Sequence, residues 1–485
     1  MISKKEELKV FIEKRIMPLL GIPEGDYKID DSPYDNVYSV GNSKTKLKIE
    51  KPLYFENENV FHVGFLSENK YYYRVKTNST LIKDDLNLIR NILQYFSIIL
   101  DANNISSIKV NERNRLIDPE TNNSIYLDTL YDYVIQKGIC DWIINSTEKQ
   151  TFKIEKLFRI LEEWSMKTYE GKNVCFGILI NPKGVTKQTD DSYLDFLKFL
   201  SSEYAAVLTD GITSIIEVDS NCNFVDYHSI TDNNEIYGCN YDKLVLPYRF
   251  VQIIEKIVCD EKIGLFFLQN GDLNIAKDRQ IAFIKRNGHW INFKYNTFKN
   301  VLYSLKLDNA LLTSIFSTAL DVSLAHNGGI IAIVDDINLN SKLDQIISPV
   351  DNLNNNFSNE SLYNKELNEI DEKISKEDYL VREKDIKKKI MKRQMIKYLI
   401  EDKNFINIDK KLKCELIGLD GACIINKNGK ILSFGAIIQN DPGSSGGGRG
   451  AAAKKLSNYG GFAIKISTDG YIEVYVDSRK VYSIK

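Results

Sequence analysis

The chain has 485 residues, 43% hydrophobic and 27% charged, with 64 Lys and Arg against 66 Asp and Glu. This composition fits a globular protein with ample core, and a formal net charge of −2 gives no electrostatic case for a nucleic-acid partner or an anionic membrane. No apolar run of about 18 residues occurs, so no membrane span is expected, and at roughly 100–200 residues per domain the length suggests about three domains, or two with an embellishment.

The opening "MISKKEELKVFIEKRIMPLL" reads as a charged amphipathic helix. It lacks the uninterrupted apolar stretch and small-residue cleavage site of a signal peptide, so the expected compartment is the cytoplasm. Seven cysteines are dispersed without a C-x-x-C pair (Cys140, Cys175, Cys222, Cys239, Cys259, Cys414 and Cys423), which fits reduced thiols acting as small hydrophobes. The four histidines, His62, His228, His289 and His326, have no zinc-ligand spacing.

Residues 1–130 are expected to form a mixed α/β domain. "VFHVGFLSENKYYYRVKT" reads as a hairpin turning around Ser67–Lys70. A helix follows, with Leu86, Ile89, Leu93 and Phe96 on one face. A second sensor-like α/β region is expected over 131–260. It holds the helix "FKIEKLFRILEEWSMKTYEG", the buried strand "VCFGILI", and a helix, strand, turn at Asp210-Gly211 and strand across 192–230. Residues 261–299 read as a β-meander with turns at Asn270-Gly271 and Asn287-Gly288, and with Trp290 in the core.

From 300 to 485 the expectation is a mixed sheet flanked by helices, so the whole chain is α/β in the α+β sense. "ALLTSIFSTALDVSLAHNGGIIAIVDD" is a helix, a Gly-Gly break and an apolar strand. Residues 338–378 are rich in Asn, Asp, Ser and Lys and read as a long loop, the first part of an insertion over about 338–400. The basic helix that ends it has a partial apolar face at Ile386, Ile390 and 396–399, as a solvated helix packed on one side would; contact with a membrane or nucleic acid is the minor alternative. "CELIGLDGACIINKNGKILSFGAII" reads as three strands, and "AAAKKLSNYG" as a helix followed by the strands "FAIKIS" and "YIEVYVDSRKVYSI".

Between them lies "DPGSSGGGRGAAAKK". The about thirty residues beyond it are too few for an independent domain, so the glycines form an internal loop rather than a linker. Glycines ahead of a helix let backbone N–H groups converge on an anion, and Arg449 adds a fork of donors. The pattern is neither a Walker A loop nor G-x-G-x-x-G, so phosphate binding and a plain tight connection both stand. Asp420-Gly421 can likewise be a hairpin turn, or an acid poised at a strand end for a metal or a sugar hydroxyl.

The order of these pieces resembles the diadenylate cyclase domain. That family carries Asp-Gly-Ala, then a Gly-Thr-Arg-His-Arg-Ala-Ala loop leading into a helix with Leu-Ser, then a strand ending Ser-Glu-Glu. Asp420-Gly421-Ala422 matches the first motif, and "GGRGAAAKKLS" the second through Arg449, Ala452-Ala453 and Leu456-Ser457. "KISTDGYIEV" matches the third through Ser467 and Asp469, and "LAHNGGIIAIVDD" looks like the family's early strand. The family's threonine, histidine and second arginine fall on Gly448, Gly450 and Ala451, as in a divergent branch with large sensor-like regions ahead of the cyclase domain.

The resemblance covers about 300–485 and implies condensation of two ATP molecules into cyclic di-AMP with release of pyrophosphate. It implies Mg²⁺ or Mn²⁺ as cofactor and a homo-oligomer whose cyclase domains meet face to face. It assigns Asp420, Gly421, Ala422 and Arg449 to catalysis, and Ser445, Gly446, Gly447, Gly448, Arg449 and Gly450 to phosphate. It assigns Asp420 and Asp469 to the metal, and Ser467 and Leu419 to other nucleotide contacts. The alternatives are a nucleotide-binding module that no longer cyclises, a cyclase with a different product, and an interaction protein with an inert loop.

Overall fold

The computed structural model describes residues 3–34, 37–38, 47–48, 52–66, 68, 70–101, 123–144, 148–165, 167–184, 196–230, 247–250, 253–254, 261–268, 270–277, 280–293, 295–335, 343–368, 375–438 and 447–484. The protein is mixed α/β throughout, with helices and three sheets of four or more strands. It divides into two compact units, Met1–Cys239 with Phe250–Thr297, and Asn240–Arg249 with Phe298–Lys485. Among the described residues no helix is long and apolar enough to cross a membrane.

The first unit starts with α1 (Lys4–Phe11), closed by a capping box between Ser3 and Glu6. It continues through a π-helical turn, Ile12–Ile16, into α2 (Met17–Leu19). Strands β1 (Tyr27–Asp31), the short pair β2 (Val37–Tyr38) and β3 (Leu47–Lys48), β4 (Leu53–Asn57), β5 (Val60–Phe65) and β6 (Lys70–Thr77) follow. Four of them form an antiparallel sheet in the order β1-β6-β5-β4, and the β5–β6 hairpin closes at Phe65↔Lys70. In α3 (Lys83–Asp101) Leu88, Ile89, Ile92, Leu93 and Phe96 are buried; Leu86 is only partly so. The sequence reading made no assignment for α4 (Asn123–Ile144), which precedes α5 (Glu148–Ser165).

The short strands β7 (Thr168–Tyr169) and β8 (Lys172–Asn173) lead to β9 (Phe176–Asn181), α6 (Phe196–Leu200), β10 (Ser214–Asp219) and β11 (Phe224–Ser229). The meander is β12 (Ile263–Phe267), β13 (Leu273–Lys277), β14 (Gln280–Arg286) and β15 (His289–Asn292). Strands β9 to β15 form one seven-stranded sheet, order β11-β10-β9-β12-β13-β14-β15, with β9 and β10 parallel, while β7 and β8 pair only with each other. The strand expected before Asp210-Gly211 is instead a 3₁₀ turn, Glu203–Val207. Beyond it the Asp210 carboxylate accepts the N–H groups of Ile212, Thr213 and Ser214 and closes a side-chain-made turn that leads into β10.

A single apolar cluster runs from Leu8 to Trp290, so the three segments expected before residue 300 share one core. Phe11 stacks on Phe96 with ring centroids 4.1 Å apart. Within the meander, Arg286 (0% side-chain exposure) donates to Asp272 (2%) from Nη2 at 2.6 Å and from Nε at 3.0 Å. Truncation of Asp272 to alanine leaves a buried cation without its carboxylate. It is expected to cost about 3–5 kcal/mol, read as a lower urea midpoint.

The second unit is built on a six-stranded sheet. Helix α7 (Asn309–Leu324) leads through Gly328 into β16 (Gly329–Val334). A long crossover carries α8 (Asn359–Asn368), α9 (Lys376–Ile400) and α10 (Lys410–Ile417) before β17 (Ala422–Asn426) and β18 (Ile431–Ala436). Then come α11 (Gly447–Leu456), β19 (Phe462–Ile466), β20 (Ile472–Val476) and β21 (Arg479–Ile484). The order is β18-β17-β16-β19-β20-β21; β16 and β17 are parallel and the other pairs antiparallel. Every residue of β16 and β17 is buried, as central strands covered on both faces require. Ile330, Ala332, Ala422, Ile424 and Ala463 pack with Ala452, Ala453 and Leu456 of α11. On the other face, Phe462 meets Phe298, which also packs on Phe316 of α7.

Three expectations are corrected here. "CELI" is not a strand but the end of α10, whose N-cap Asp409 accepts the N–H of Leu412 and whose Leu416 and Ile417 are buried. The long loop expected over 338–378 contains α8 in its described part. Leu362 of that helix packs with Val350, Ile386 and Ile390, sparse apolar residues that a polar composition conceals. The final segment "YIEVYVDSRKVYSI" is two strands, β20 and β21, turning at Asp477 and Ser478, both with positive φ.

Candidate functional site

A cavity of about 460 Å³ opens in the second unit. It is bordered by Asp420 and Gly421 before β17, by Gly448, Arg449, Gly450 and Ala452 of α11, and by Lys465, Ser467 and Thr468 at the end of β19. Ile330 and the segment Ala436–Ile438 complete its apolar wall. The volume falls within the range usual for small-molecule sites.

Parallel pairing of β16 and β17 creates this juxtaposition. The register Ile330↔Ala422 sets the start of β17 beside the start of β16, and Gly329↔Ile466 brings the end of β19 to the same level. Helix α11 lies over β16 and β19 through its alanines, so its first turn borders the same space. That turn begins at Gly447, four residues before the start of the expected helix "AAAKKLSNYG", and a helix N-terminus carries partial positive charge.

Two glycine contacts shape the site. Gly421 has φ +118°, and a Cβ there would lie 2.7 Å from the carbonyl oxygen of Gly435 and 2.8 Å from the nitrogen of Ala436. Asp420-Gly421 is therefore not a hairpin turn between strands but a close passage of the chain over the end of β18. Gly328 has the same function for Arg449: a Cβ would collide with the guanidinium, which rests on the bare glycine backbone.

Asp420 is exposed at the rim, and Arg449 is half-buried. Lys465 pairs across the sheet with Glu473, Nζ to Oε2 at 3.0 Å; Tyr475 O–H (2.9 Å) and Lys480 (3.3 Å to Oε1) hold the same carboxylate. Burial pushes Glu473 up, but the hydrogen bonds from Lys465 and Tyr475 and the two lysine charges outweigh it and hold it at about 2. A carboxylate depressed in the folded state contributes stability above its ordinary value near 4.5, and that contribution is lost as pH falls towards 2. The difference in urea midpoint between the protein and Glu473→Gln is expected to be large at pH 7 and to shrink steadily from pH 4.5 downward.

Among the residues singled out from sequence, Asp420, Gly421, Gly448, Arg449, Gly450 and Ser467 all border the cavity. Ser467 also caps the β19–β20 turn, its Oγ accepting the N–H of Tyr471 at 3.1 Å. Gly447 opens α11. Ala422 is fully buried within β17, Leu419 is exposed beside the site, and Asp469 is exposed on the turn; none of the three borders the cavity. Ser445 and Gly446 lie outside the described residues. The sequence reading missed Lys465 and the wall Ala436–Ile438. A lysine interrupting the apolar run "FAIKI" was the available signal for the first.

The wall is braced from behind by the crossover. Lys392 of α9 donates to the carbonyl of Gly435 at 2.6 Å, and Asp351 accepts the N–H of Ile437. Burial raises the Asp351 pKa despite the nearby Lys392 and Lys389. Arg393 fixes the 350–355 turn to α9 through the carbonyls of Val350, Asn352 and Asn355.

Among the described residues Asp420 is the one carboxylate bordering the cavity, and no cluster of three His, Cys, Asp or Glu side chains could hold a metal by itself. Mg²⁺ is commonly bound by one or two carboxylates together with substrate phosphates, so Asp420 could hold such a cation only jointly with a phosphate-bearing ligand. Compared with models of known protein families and with curated proteins, the chain finds no match.

Proposed function

We propose that the second unit is a diadenylate cyclase domain, joining two ATP molecules into cyclic di-AMP. The observation that carries this reading is the convergence of Asp420-Gly421, Gly448-Arg449-Gly450 and Ser467 on one cavity, although they lie in three separate segments. An acid that shares one cavity with the first turn of a helix and an arginine is a donor set that suits a ribose and a polyphosphate.

In this reading the first-turn N–H groups of α11, Arg449 and Lys465 hold the phosphates, and Asp420 orients the attacking 3′-hydroxyl. Ile330, Ala436 and Ile438 offer an apolar surface for the base. A divalent cation, held on the protein side by Asp420, would neutralise charge on the phosphates. The 3′-hydroxyl of one ATP gives up its proton to solvent as its oxygen bonds to the α-phosphorus of the other and pyrophosphate leaves, and the reciprocal step closes the ring. Each copy supplies one nucleotide, so two copies must face each other. Positioning of the two reactants contributes up to about 7–11 kcal/mol of barrier reduction, and charge neutralisation adds to it. Exposed Ile437 (58%) in the cavity wall and Leu419 (38%) next to Asp420 supply apolar surface for that meeting. The first unit would govern when two copies meet, from the cytoplasm.

The test is incubation of the full chain with ATP and Mn²⁺, with the product identified by mass spectrometry and the other NTPs as competitors. Cyclic di-AMP supports the reading; another cyclic product changes the substrate class. A second reading has its own observation: Gly450 and buried Ala451 occupy the places of a histidine and an arginine, so two phosphate donors are absent. Tight ATP binding without turnover would establish a nucleotide-binding module instead.

A further inference from the structure

The first unit carries a second constellation, in its four-stranded sheet. His62 on β5 is fully buried. Its Nδ1 lies 2.6 Å from Oγ of Ser32, just after β1, and its Nε2 lies 3.1 Å from Oε2 of Glu56 on β4. Glu56 is held below the ordinary carboxylate range by hydrogen bonds from Arg74 and His62. An ionised carboxylate only accepts, so Nε2 carries the ring hydrogen and Nδ1 is left to accept from the Ser32 hydroxyl. Burial keeps His62 neutral by lowering its pKa, and the Glu56 contact only partly opposes that.

Ser32 itself is half-buried and therefore reachable from solvent. Its backbone is fixed by the bond from its N–H to the carbonyl of Tyr72 at 3.0 Å. Its Oγ also accepts the N–H of Tyr34 at 3.3 Å, a donor that favours negative charge on the oxygen. The imidazole is boxed by Tyr34 (centroids 4.7 Å apart), Tyr54 (5.8 Å) and Tyr71 (6.2 Å), so it cannot swing away from the serine. A nucleophile, a neutral base and an acid orienting that base thus stand in series.

We propose that Ser32 is an activated nucleophile that accepts acyl groups from esters, with His62 as its base and Glu56 as the positioning residue. The site is separate from the cavity of the second unit and does not depend on its function. Oγ bonds to the ester carbonyl carbon while its proton passes to His62 Nδ1. The C–O bond of the ester then breaks and the same proton leaves with the alcohol. Water, deprotonated by His62, later releases the acid and restores the serine. The rings of Tyr34 and Tyr54 beside His62 favour an apolar acyl or aryl group.

The test uses a fluorophosphonate probe on the full chain, with the labelled residue mapped by mass spectrometry. Ser32 is expected to react at pH 7.5 at least about tenfold faster than in urea-unfolded protein, and Ser32→Ala to abolish that label. His62→Gln is expected to slow labelling about 100-fold and the milder Glu56→Gln about tenfold, the scale of general-base assistance. The unmodified protein provides a readout that needs no variant. Its labelling rate should fall as pH drops through a midpoint below the ordinary histidine value of 6.5. The charged and titratable groups that face this ring are Glu56, Arg74, Tyr34, Tyr54 and Tyr71. Labelling no faster in folded than in unfolded protein overturns the proposal. So does a rate indifferent to both pH and Glu56→Gln, which would reduce Ser32 to an accessible hydroxyl beside a structural histidine.

Discussion

Asp420→Asn is expected to lower cyclic dinucleotide formation at least about 100-fold while leaving the unfolding midpoint unchanged. The two halves of this expectation have separate origins. Asp420 is exposed at the cavity rim, so the isosteric amide disturbs no packing and leaves no buried group without a partner. The amide has no negative charge to hold the cation that accompanies the nucleotide and is a poor acceptor for a ribose hydroxyl. Affinity for ATP, carried in this reading by Arg449, Lys465 and the first turn of α11, should fall by less than about tenfold, since these donors stay in place. Product formation followed by mass spectrometry, ATP binding by calorimetry and a thermal melt separate the three quantities. Full product from the variant would remove Asp420 from the chemistry.

Gly421→Ala, one residue on, is expected to do the reverse and act on stability first. At φ +118° any L side chain is strained, and the added methyl would press on the carbonyl oxygen of Gly435 and the nitrogen of Ala436. Backbone strain of about 1–2 kcal/mol and overpacking of about 1–3 kcal/mol together suggest a loss near 3 kcal/mol. The melting temperature of the second unit should drop by roughly 5–10 °C. Relief would come by moving the start of β17 away from β18, which shifts Asp420 and the wall Ala436–Ile438 apart. ATP affinity should therefore fall in any protein that remains folded. An unchanged melt would show that this close passage relaxes freely.

Much of the second unit was legible in the sequence because its strands announce themselves. "GIIAIV" and "ACIIN" are continuous apolar runs, as fully buried central strands must be. The meander of the first unit was legible through its Asn-Gly turns. Helix α10 was not, because "CELI" is too short a segment to show a period and its cap, Asp409, lies outside the apolar run. Helix α4 was not, because its apolar residues are spread around the helix and produce no stripe. In the site, the glycines, Asp420, Arg449 and Ser467 stood out by residue type and order. Lys465 and Ile437 belong to the cavity only through strand register, and Lys392 reaches it only through tertiary packing. Ser32, His62 and Glu56 could not be linked by any spacing rule, since their contact depends on β4, β5 and the residue after β1 meeting at one sheet.

The brace behind the cavity bears on how this domain can be cut down. A shortened chain that joined residue 335 directly to residue 405 would retain every motif residue of the compact domain, and by sequence alone would look complete. It would lack Lys392 and Asp351, the two side chains that grip the backbone of Gly435 and Ile437. The excised piece would take with it the scaffolding of one side of the binding chamber, so the apparent minimal domain and the working one are different lengths of polypeptide.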